Sequence, residues 1–257
     1  MYVYVYKLMT TNLKEPSLLS PEELEIQRMA VEFAKRNRTT ICREITDKAT
    51  FVPEVSPVSI FMSGSPGAGK TEISKDLTEQ LESKGTNILR LDPDELRCRF
   101  PEYNGANSYL FQSGVSLLVE RSLDYIYKNK QSFLLDGTLA IYGVAEKNIK
   151  RSLDKNRSVL ILFVHQRAEL AWKFVKARES IEGRRIQSEH FVAQYFGAQQ
   201  VIEKLKKKFG KRIRVDILLK DNDGKTKNHY ANVETVTHYL KTVVEKDEIE
   251  KIVGIGT

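Results

Sequence analysis

A glycine-rich stretch early in the chain constrains the fold more than any other feature, and it reads Gly64-Ser65-Pro66-Gly67-Ala68-Gly69-Lys70-Thr71. The stretch matches the pattern G-x-x-x-x-G-K-[ST], whose glycines let backbone N–H groups turn inward around a polyphosphate. Apolar residues 58–62 precede it, and Ile73, Leu77 and Leu81 follow it at helical spacing. A buried strand, this loop and a helix, in that order, predict a binding site for ATP or GTP.

Two side chains at the end of the loop predict how a nucleotide is held. In loops of this pattern Lys70 reaches the β- and γ-phosphates, and the hydroxyl of Thr71 binds the Mg²⁺ ion that accompanies them. The following helix directs the positive end of its dipole at the same anion. The expected cofactors are therefore ATP or GTP together with Mg²⁺.

Strands and helices alternate along most of the chain. Apolar runs predict strands over residues 58–62, 87–91, 132–136, 159–164 and 213–219. This alternation predicts an α/β fold of the P-loop NTPase or kinase type, a parallel sheet with helices on both faces. We divide the chain into an N-terminal extension with helices at 1–55 and a P-loop domain at 56–257.

The two ends of the chain carry weaker signals. Tyr2–Tyr6 alternates as a short strand does, and Ser20–Glu23 supplies the cap, proline and glutamate of a helix start. That helix is predicted to reach about Asn37, and a second helical piece at 40–48 either continues it or breaks from it. A final helix is predicted over 233–253.

The composition is that of an ordinary globular chain, with 41% apolar and 29% charged residues. No apolar run approaches the roughly 18 residues of a membrane span, and the N-terminus carries no secretory signal. Two cysteines, Cys42 and Cys98, fit reduced thiols in the cytoplasm. The net charge of +7 comes largely from basic runs without interleaved aromatics, so nucleic acid is not expected as the main partner.

Two carboxylates follow the second predicted strand, at the edge where a parallel sheet binds its ligands. Asp92 and Asp94 lie on either side of a proline. We assign Asp92 to a helix cap or to a supporting position. We assign Asp94 to catalysis, because a carboxylate that faces the γ-phosphate can accept the proton of an acceptor hydroxyl.

The order of these features resembles the zeta toxin family of small-molecule kinases over about residues 22–190. The stretch that carries the resemblance, besides the loop, is Asp92-x-Asp94-x-Leu-Arg97 with Pro101 and Tyr103 after it. Where the family often has His before the proline, this chain has Phe100.

The best-known members of that family phosphorylate a hydroxyl of UDP-N-acetylglucosamine with ATP or GTP. The resemblance therefore implies Asp94 as the catalytic base, Lys70 as the phosphate lysine and Arg97 in acceptor binding. It also implies a toxin of a toxin–antitoxin pair, with an antitoxin protein that covers the nucleotide site.

The third predicted strand ends in an acid, a glycine and Thr138. Two interpretations of Asp136 stay open: an acid that supports Mg²⁺ through Thr71, or the acid of the acceptor pocket that the resemblance implies. The resemblance also places Thr138 and Glu120 in acceptor binding, and for Glu120 the alternative is an ordinary surface acid. The family usually has Glu in place of Asp136 and commonly Arg in place of Ala140, so the exact acceptor stays open.

A basic segment at 174–191 carries three arginines around Gly183. Phosphoryl transfer spreads negative charge over the phosphate oxygens, and arginines brought in by a lid neutralise that charge. The resemblance matches Arg178 and Arg184 to the catalytic arginines, with Arg185 as a near substitute. The alternative is a solvated basic surface.

Together these observations predict transfer of the γ-phosphate of ATP or GTP to a hydroxyl of a small molecule. A sugar nucleotide such as UDP-N-acetylglucosamine is the first candidate for the acceptor. The alternatives are a kinase of another small molecule, such as a nucleotide, a cofactor or an antibiotic, and a nucleotide-dependent switch without an acceptor.

Overall fold

The structure is a computed structural model and describes residues 19–183, 186–223, 225–240 and 245–255. Its strands are β1 (Val58–Ser63), β2 (Leu89–Leu91), β3 (Phe133–Leu135), β4 (Ser158–His165), β5 (Arg214–Lys220) and β6 (Thr226–Tyr230). Its α-helices are α1 (Pro21–Ile45), α2 (Lys70–Glu82), α3 (Pro93–Arg97), α4 (Gln112–Asn129), α5 (Tyr142–Leu153), α6 (Ala168–Glu182), α7 (Ser188–Phe209) and α8 (Lys246–Ile252). Short 3₁₀ turns cover Ser108–Phe111, Gly210–Arg212 and Thr237–Tyr239.

The strands form one sheet in the order β2-β3-β1-β4-β5-β6. The strands β1 to β5 are parallel, with Ile60 of β1 opposite Leu134 of β3 and Leu160 of β4. This confirms the predicted α/β fold. The sequence missed β6, which pairs antiparallel with β5 at the edge of the sheet. Its residues Thr226–Tyr230 are polar and largely exposed, so backbone pairing alone defines it.

Both faces of the sheet are covered by helices. Successive residues of a strand point to opposite faces. Phe61 packs into a core cluster with residues of α1 and α4, whereas Ile60 and Met62 pack into a second cluster against apolar residues of α2. A central strand buried on both sides is typical of parallel sheets and explains the unbroken apolar run before the loop.

The first helix is a single element. Ser20 caps it, because its hydroxyl accepts from the backbone N–H of Glu23 at 3.2 Å and the Glu23 carboxylate accepts from the N–H of Ser20 at 2.8 Å. The predicted second piece at 40–48 continues this helix, because buried Ile41 and Cys42 extend the face that packs on the core. The helix ends at Ile45. Residues of α1 and of the sheet belong to the same main core cluster. The division of the chain into two parts at residue 55 stays a prediction.

The predicted final helix over 233–253 is wrong for residues 233–240, which the structure describes. Val233 and Val236 are buried in the main core without forming a helix. The backbone N–H groups of Val236 and Thr237 donate to the carboxylate of Glu203 on α7 at 2.6 and 3.0 Å. Of the described residues in this range, those of the short α8 form an α-helix, and the predicted strand at 2–6 lies outside the described residues.

Among the described residues, no helix is both long enough and apolar enough to cross a membrane.

Candidate active site

The glycine-rich loop joins β1 to α2 as predicted and lies beneath α6. A Cβ atom on Gly67 would stand 2.1 Å from the carbonyl oxygen of Ala171, and the backbone of Gly67 has φ +72°. Only glycine satisfies both the close approach and the left-handed conformation. Ala171, Val175 and Arg178 follow one another along one face of α6, so the packing over the loop directs Arg178 toward it.

The loop lysine lies over the start of the loop. Its ammonium donates to the backbone carbonyls of Gly64 at 3.0 Å and Ser65 at 2.6 Å. Lys70 is the first residue of α2 and Thr71 the second, so both lie at the positive end of the helix dipole. This arrangement is that of an anion-binding loop.

The loop opens into a cleft of about 1080 Å³ at the carboxyl ends of the parallel strands. Residues after each of β2, β3 and β4, and the last residue of β5, line it, as do one face of α6 and one face of α7. Of the residues predicted from the sequence, the cleft brings together Pro66, Gly67, Ala68, Gly69, Lys70, Thr71, Asp94, Arg97, Asp136, Thr138 and Arg178. The structure therefore unites the phosphate loop with the acids of two other strand ends.

Asp92 and Asp94 have different surroundings, and Asp92 is a helix cap as predicted. Asp92 caps α3, and its carboxylate accepts from the backbone N–H of Asp94 at 2.8 Å. Asp94 pairs with the guanidinium of Arg97, which also donates to the side-chain oxygen of Gln112 at 2.7 Å. Arg97 is buried and Asp94 is partly exposed in the cleft, so the arginine orients a carboxylate that ligands can reach.

The sequence interpretation missed Arg90, which links the two acidic strand ends. Its guanidinium contacts the carboxylates of Asp92 at 2.5 Å and Asp136 at 2.7 Å. It also donates to the hydroxyl of Ser74, which in turn donates to Asp136 at 2.6 Å. In the sequence, Arg90 is an arginine between two leucines of the short strand β2, and this pattern does not indicate which carboxylates it contacts.

Three carboxylates share this single guanidinium, because Glu95 also accepts from Arg90 at 2.6 Å. Burial, together with the negative charges of Asp94 and Asp136, raises the pKa of Asp92 to about 6. The N–H of Asp94 and the charge of Arg90 oppose that rise. The carboxyl of Asp92 is therefore harder to ionise than that of an ordinary aspartate.

Asp136 and Thr138 reach the cleft from the end of β3. Asp136 is buried and held by Ser74 and Arg90. The backbone carbonyl of Thr138 accepts from the N–H of Gly64 at 3.3 Å, so this strand end also supports the phosphate loop.

The described residues contain no group of three or more His, Cys, Asp or Glu side chains that could hold a metal alone. Mg²⁺ takes one or two protein oxygens and fills its remaining positions with phosphates and waters. The hydroxyl of Thr71 and the carboxylate of Asp136, both in the cleft, are donors of that kind. The donor set fits the ion.

The remaining predicted residues lie elsewhere. Glu120 is on α4 outside the lining of the cleft, where it accepts from the ammonium of Lys147 on α5 at 2.5 Å. The structure does not bring it to the acceptor pocket, because its position on α4 faces α5. Arg184 and Arg185 lie outside the described residues.

Several lining residues were not predicted, and they share a polar or basic side chain: Tyr109, Gln112, Gln166, His190, Gln194 and Lys220. Tyr109 donates to the carboxylate of Glu23 at the start of α1. Burial is the main cause that raises the pKa of Tyr109 to about 12, and the contact with Glu23 adds to it. Burial lowers the pKa of His190. Helical spacing within α7 was visible in the sequence, but which face meets the cleft was not.

Comparison with known proteins agrees with this geometry. The zeta toxin family model matches residues 42–234, more than half of the chain. The cytidine diphosphoramidate kinase of Campylobacter jejuni subsp. jejuni is 31% identical over 100 residues, which are 37% of this chain and 56% of that protein. The chain thus matches about half the length of this relative.

Two solved structures share the fold at low sequence identity. The PezAT chromosomal toxin–antitoxin system of Streptococcus pneumoniae aligns with a TM-score of 0.56 and 17% identity over 93% of this chain and 90% of that one. AvrRxo1-ORF1:AvrRxo1-ORF2 with ATP aligns with a TM-score of 0.55 and 16% identity over 93% and 74%.

The family match covers the phosphate loop, the strand-end acids and the basic segment at 174–191 in one continuous span. Loop, acids and Arg178 meet in a single cleft. The chain belongs to the zeta toxin family.

Proposed function

We propose that this enzyme transfers the γ-phosphate of ATP or GTP to a hydroxyl group of a small-molecule acceptor. The observation that carries the proposal is the placement of Asp94 in the same cleft as Lys70 and Thr71. A P-loop alone serves hydrolysis or switching equally well. A partly exposed carboxylate across the cleft, oriented by a buried arginine, is the feature that an acceptor hydroxyl requires.

The roles follow from the contacts. Lys70 and the N–H groups of the loop hold the β- and γ-phosphates, and Arg178 on α6 neutralises charge that develops on the transferred group. Asp94 accepts the proton of the acceptor hydroxyl, and Arg97 keeps its carboxylate in place. Thr71, with Asp136 in support, would hold Mg²⁺, which would offset the negative charge of the phosphates. Arg184 is the second proposed lid arginine.

The acceptor class we propose is a nucleotide derivative. The family resemblance points to a sugar nucleotide such as UDP-N-acetylglucosamine, with Arg97, Asp136 and Thr138 in contact with it. The relative from Campylobacter is named for cytidine diphosphoramidate, so both candidates are pyrimidine nucleoside diphosphate derivatives. The polar lining by Tyr109 and Gln112 suits a base or a sugar hydroxyl.

One position separates this chain from the sugar-nucleotide pattern. Ala140, where the family commonly has Arg, packs against α7: a Cβ on Gly197 would meet the Ala140 carbonyl oxygen at 3.1 Å. Position 140 therefore contributes no cation to the cleft, and a diphosphate would be bound with one bidentate contact fewer. This favours a smaller or less charged acceptor as the second candidate.

A protein partner is also proposed. One of the two solved structures comes from a toxin–antitoxin system, and the resemblance carries the same expectation. We propose an antitoxin that covers the nucleotide site and a cytoplasmic setting, in which nucleotides and reduced cysteines coexist.

The test is a transfer assay with radiolabelled ATP and a panel of acceptors: UDP-N-acetylglucosamine, cytidine nucleotides, nucleosides, sugars and aminoglycosides. The expected result is label on one pyrimidine nucleoside diphosphate derivative, lost in Lys70→Met. Asp76→Asn, an exposed acid on the same helix as Lys70, is the control that should retain transfer. Label on a compound of another class alone would identify that class as the acceptor instead. Release of free phosphate without any labelled acceptor would support a nucleotide-dependent switch.

A further inference from the structure

A second lysine lies against the phosphate loop, at the end of a different strand. Lys220 is the last residue of β5, and its side chain is only 6% exposed although lysine is rarely buried. Its Cε and Nζ atoms would stand 2.8 and 3.4 Å from a Cβ placed on Gly69. The side chain thus fills the space that the missing Cβ of Gly69 leaves open.

The ammonium of Lys220 has little to satisfy it within the protein. Among the described residues, its ion-pair partner is Glu72 at 3.8 Å, which is too long for a hydrogen bond, and the Glu72 side chain is 75% exposed. A lysine ammonium has three N–H donors, and one carboxylate at this distance leaves them for a ligand. Lys220 lines the cleft, so an anion in the loop is the partner that its position offers.

The position of Lys220 is fixed by the turn that follows it. The carbonyl of Asp221 accepts from the side-chain amide of Gln166 at 2.9 Å, and Gln166 is buried at the end of β4. The carboxylate of Asp221 accepts from the N–H groups of Asp223 and Lys225 at 3.0 and 2.8 Å. These bonds tie the end of β5 to the neighbouring strand, so the lysine is held beside the loop before any ligand binds.

We propose that Lys220 is a second phosphate-binding cation of the nucleotide site. Lys70 lies over the start of the loop, at Gly64 and Ser65, whereas Lys220 lies beside its end, at Gly69 and Glu72. The two ammonium groups therefore approach a polyphosphate from opposite ends of the loop. Because Lys70 takes the β/γ end, Lys220 contacts the α/β end. This inference rests on nucleotide binding and is independent of the acceptor.

The test is the displacement of a fluorescent ATP analogue by ATP, ADP and adenosine, without acceptor. In Lys220→Gln we expect ATP and ADP to bind about tenfold more weakly or worse, because a charge-assisted hydrogen bond is lost, and adenosine to bind unchanged. Lys220→Arg should retain most of the affinity. Lys227→Gln, an exposed lysine on β6, is the matched control and should bind as wild type.

Unchanged ATP affinity in Lys220→Gln would overturn the proposal, and so would an equal loss for ATP and adenosine, which indicates a structural role. If that variant does not fold, as judged by its thermal melt, Glu72→Gln decides. It removes the competing carboxylate, so ATP binding that is as tight as wild type or tighter supports the proposal, and weaker binding contradicts it.

Discussion

The two sides of the cleft are built in different ways. The side proposed for the nucleotide is built mainly on one continuous stretch, Gly64–Thr71, whose backbone N–H groups and following helix are arranged for an anion. The side proposed for the acceptor is assembled from β2, β3, α3 and α4 and held by buried charges around Arg90 and Arg97. A motif therefore specifies the first side, whereas only the fold specifies the second.

This difference has an energetic consequence. Backbone groups of a loop keep their geometry when a single side chain is changed. A buried charge network depends on each member, because removing one ion leaves its partners uncompensated in a poorly solvated place. Variants on the acceptor side should therefore affect stability as well as activity.

The largest expected effect is that of Arg90→Met. The change leaves Asp92 and Asp136 buried without their shared cation, so the free energy of unfolding should fall by about 3–5 kcal/mol. Urea unfolding monitored by circular dichroism measures it. Arg99→Met removes an exposed arginine that pairs with Glu44 and should cost about 1 kcal/mol or less. Equal losses in the two variants would contradict the view that buried charges hold the acceptor side.

A smaller effect is expected from pH. The pKa of Asp92 is about 6 in the folded protein, whereas that of an ordinary aspartate is 3.8. Because this pKa is raised, the protonated carboxyl of Asp92 stabilises the folded protein below about pH 4. That stabilisation is lost as the pH rises through about 6. Between pH 4 and pH 7 the wild type should lose about 1–3 kcal/mol of unfolding free energy relative to Asp92→Asn, in which this position does not titrate.

The measurement is urea unfolding of both proteins across that pH range, analysed as the difference between them so that other titrating groups cancel. A difference that does not change with pH would contradict the raised pKa. A difference of the opposite sign would mean that Arg90 dominates the environment of Asp92.

The smallest effect is expected from Glu120→Gln. Family resemblance places Glu120 in acceptor binding, but the structure pairs it with Lys147 outside the cleft. A partly exposed ion pair contributes at most about 1 kcal/mol, so stability should change little and the KM for the acceptor should stay within about twofold. A large rise in that KM with unchanged kcat would return Glu120 to the acceptor site.

The sequence predicted those parts of the molecule whose causes are local. The strand, loop and helix around Lys70 follow from glycine spacing and apolar periodicity, and the capping position of Asp92 follows from its place before a proline. Arg90 could not be predicted, because its partner Asp136 is remote in sequence and meets it only when β3 lies next to β2.

The errors have the same origin. The apolar residues between 233 and 240 predict one face of a helix. Val233 and Val236 are instead buried against the main core without forming a helix. Strand β6 lacks any apolar alternation and exists because β5 offers it a free edge. Lys220 is an ordinary lysine in the sequence, and only the packing of β5 beside the loop distinguishes it.

The most direct test of the account is the effect of Asp94→Asn on two quantities, the Kd for ATP and the rate of phosphoryl transfer to the acceptor in a single turnover. We predict that the Kd stays within about twofold, because Asp94 is not part of the loop, and that transfer falls by about 100-fold or more, because the base is lost. Transfer at the wild-type rate would show that Asp94 does not act across the cleft, and would contradict the proposed function.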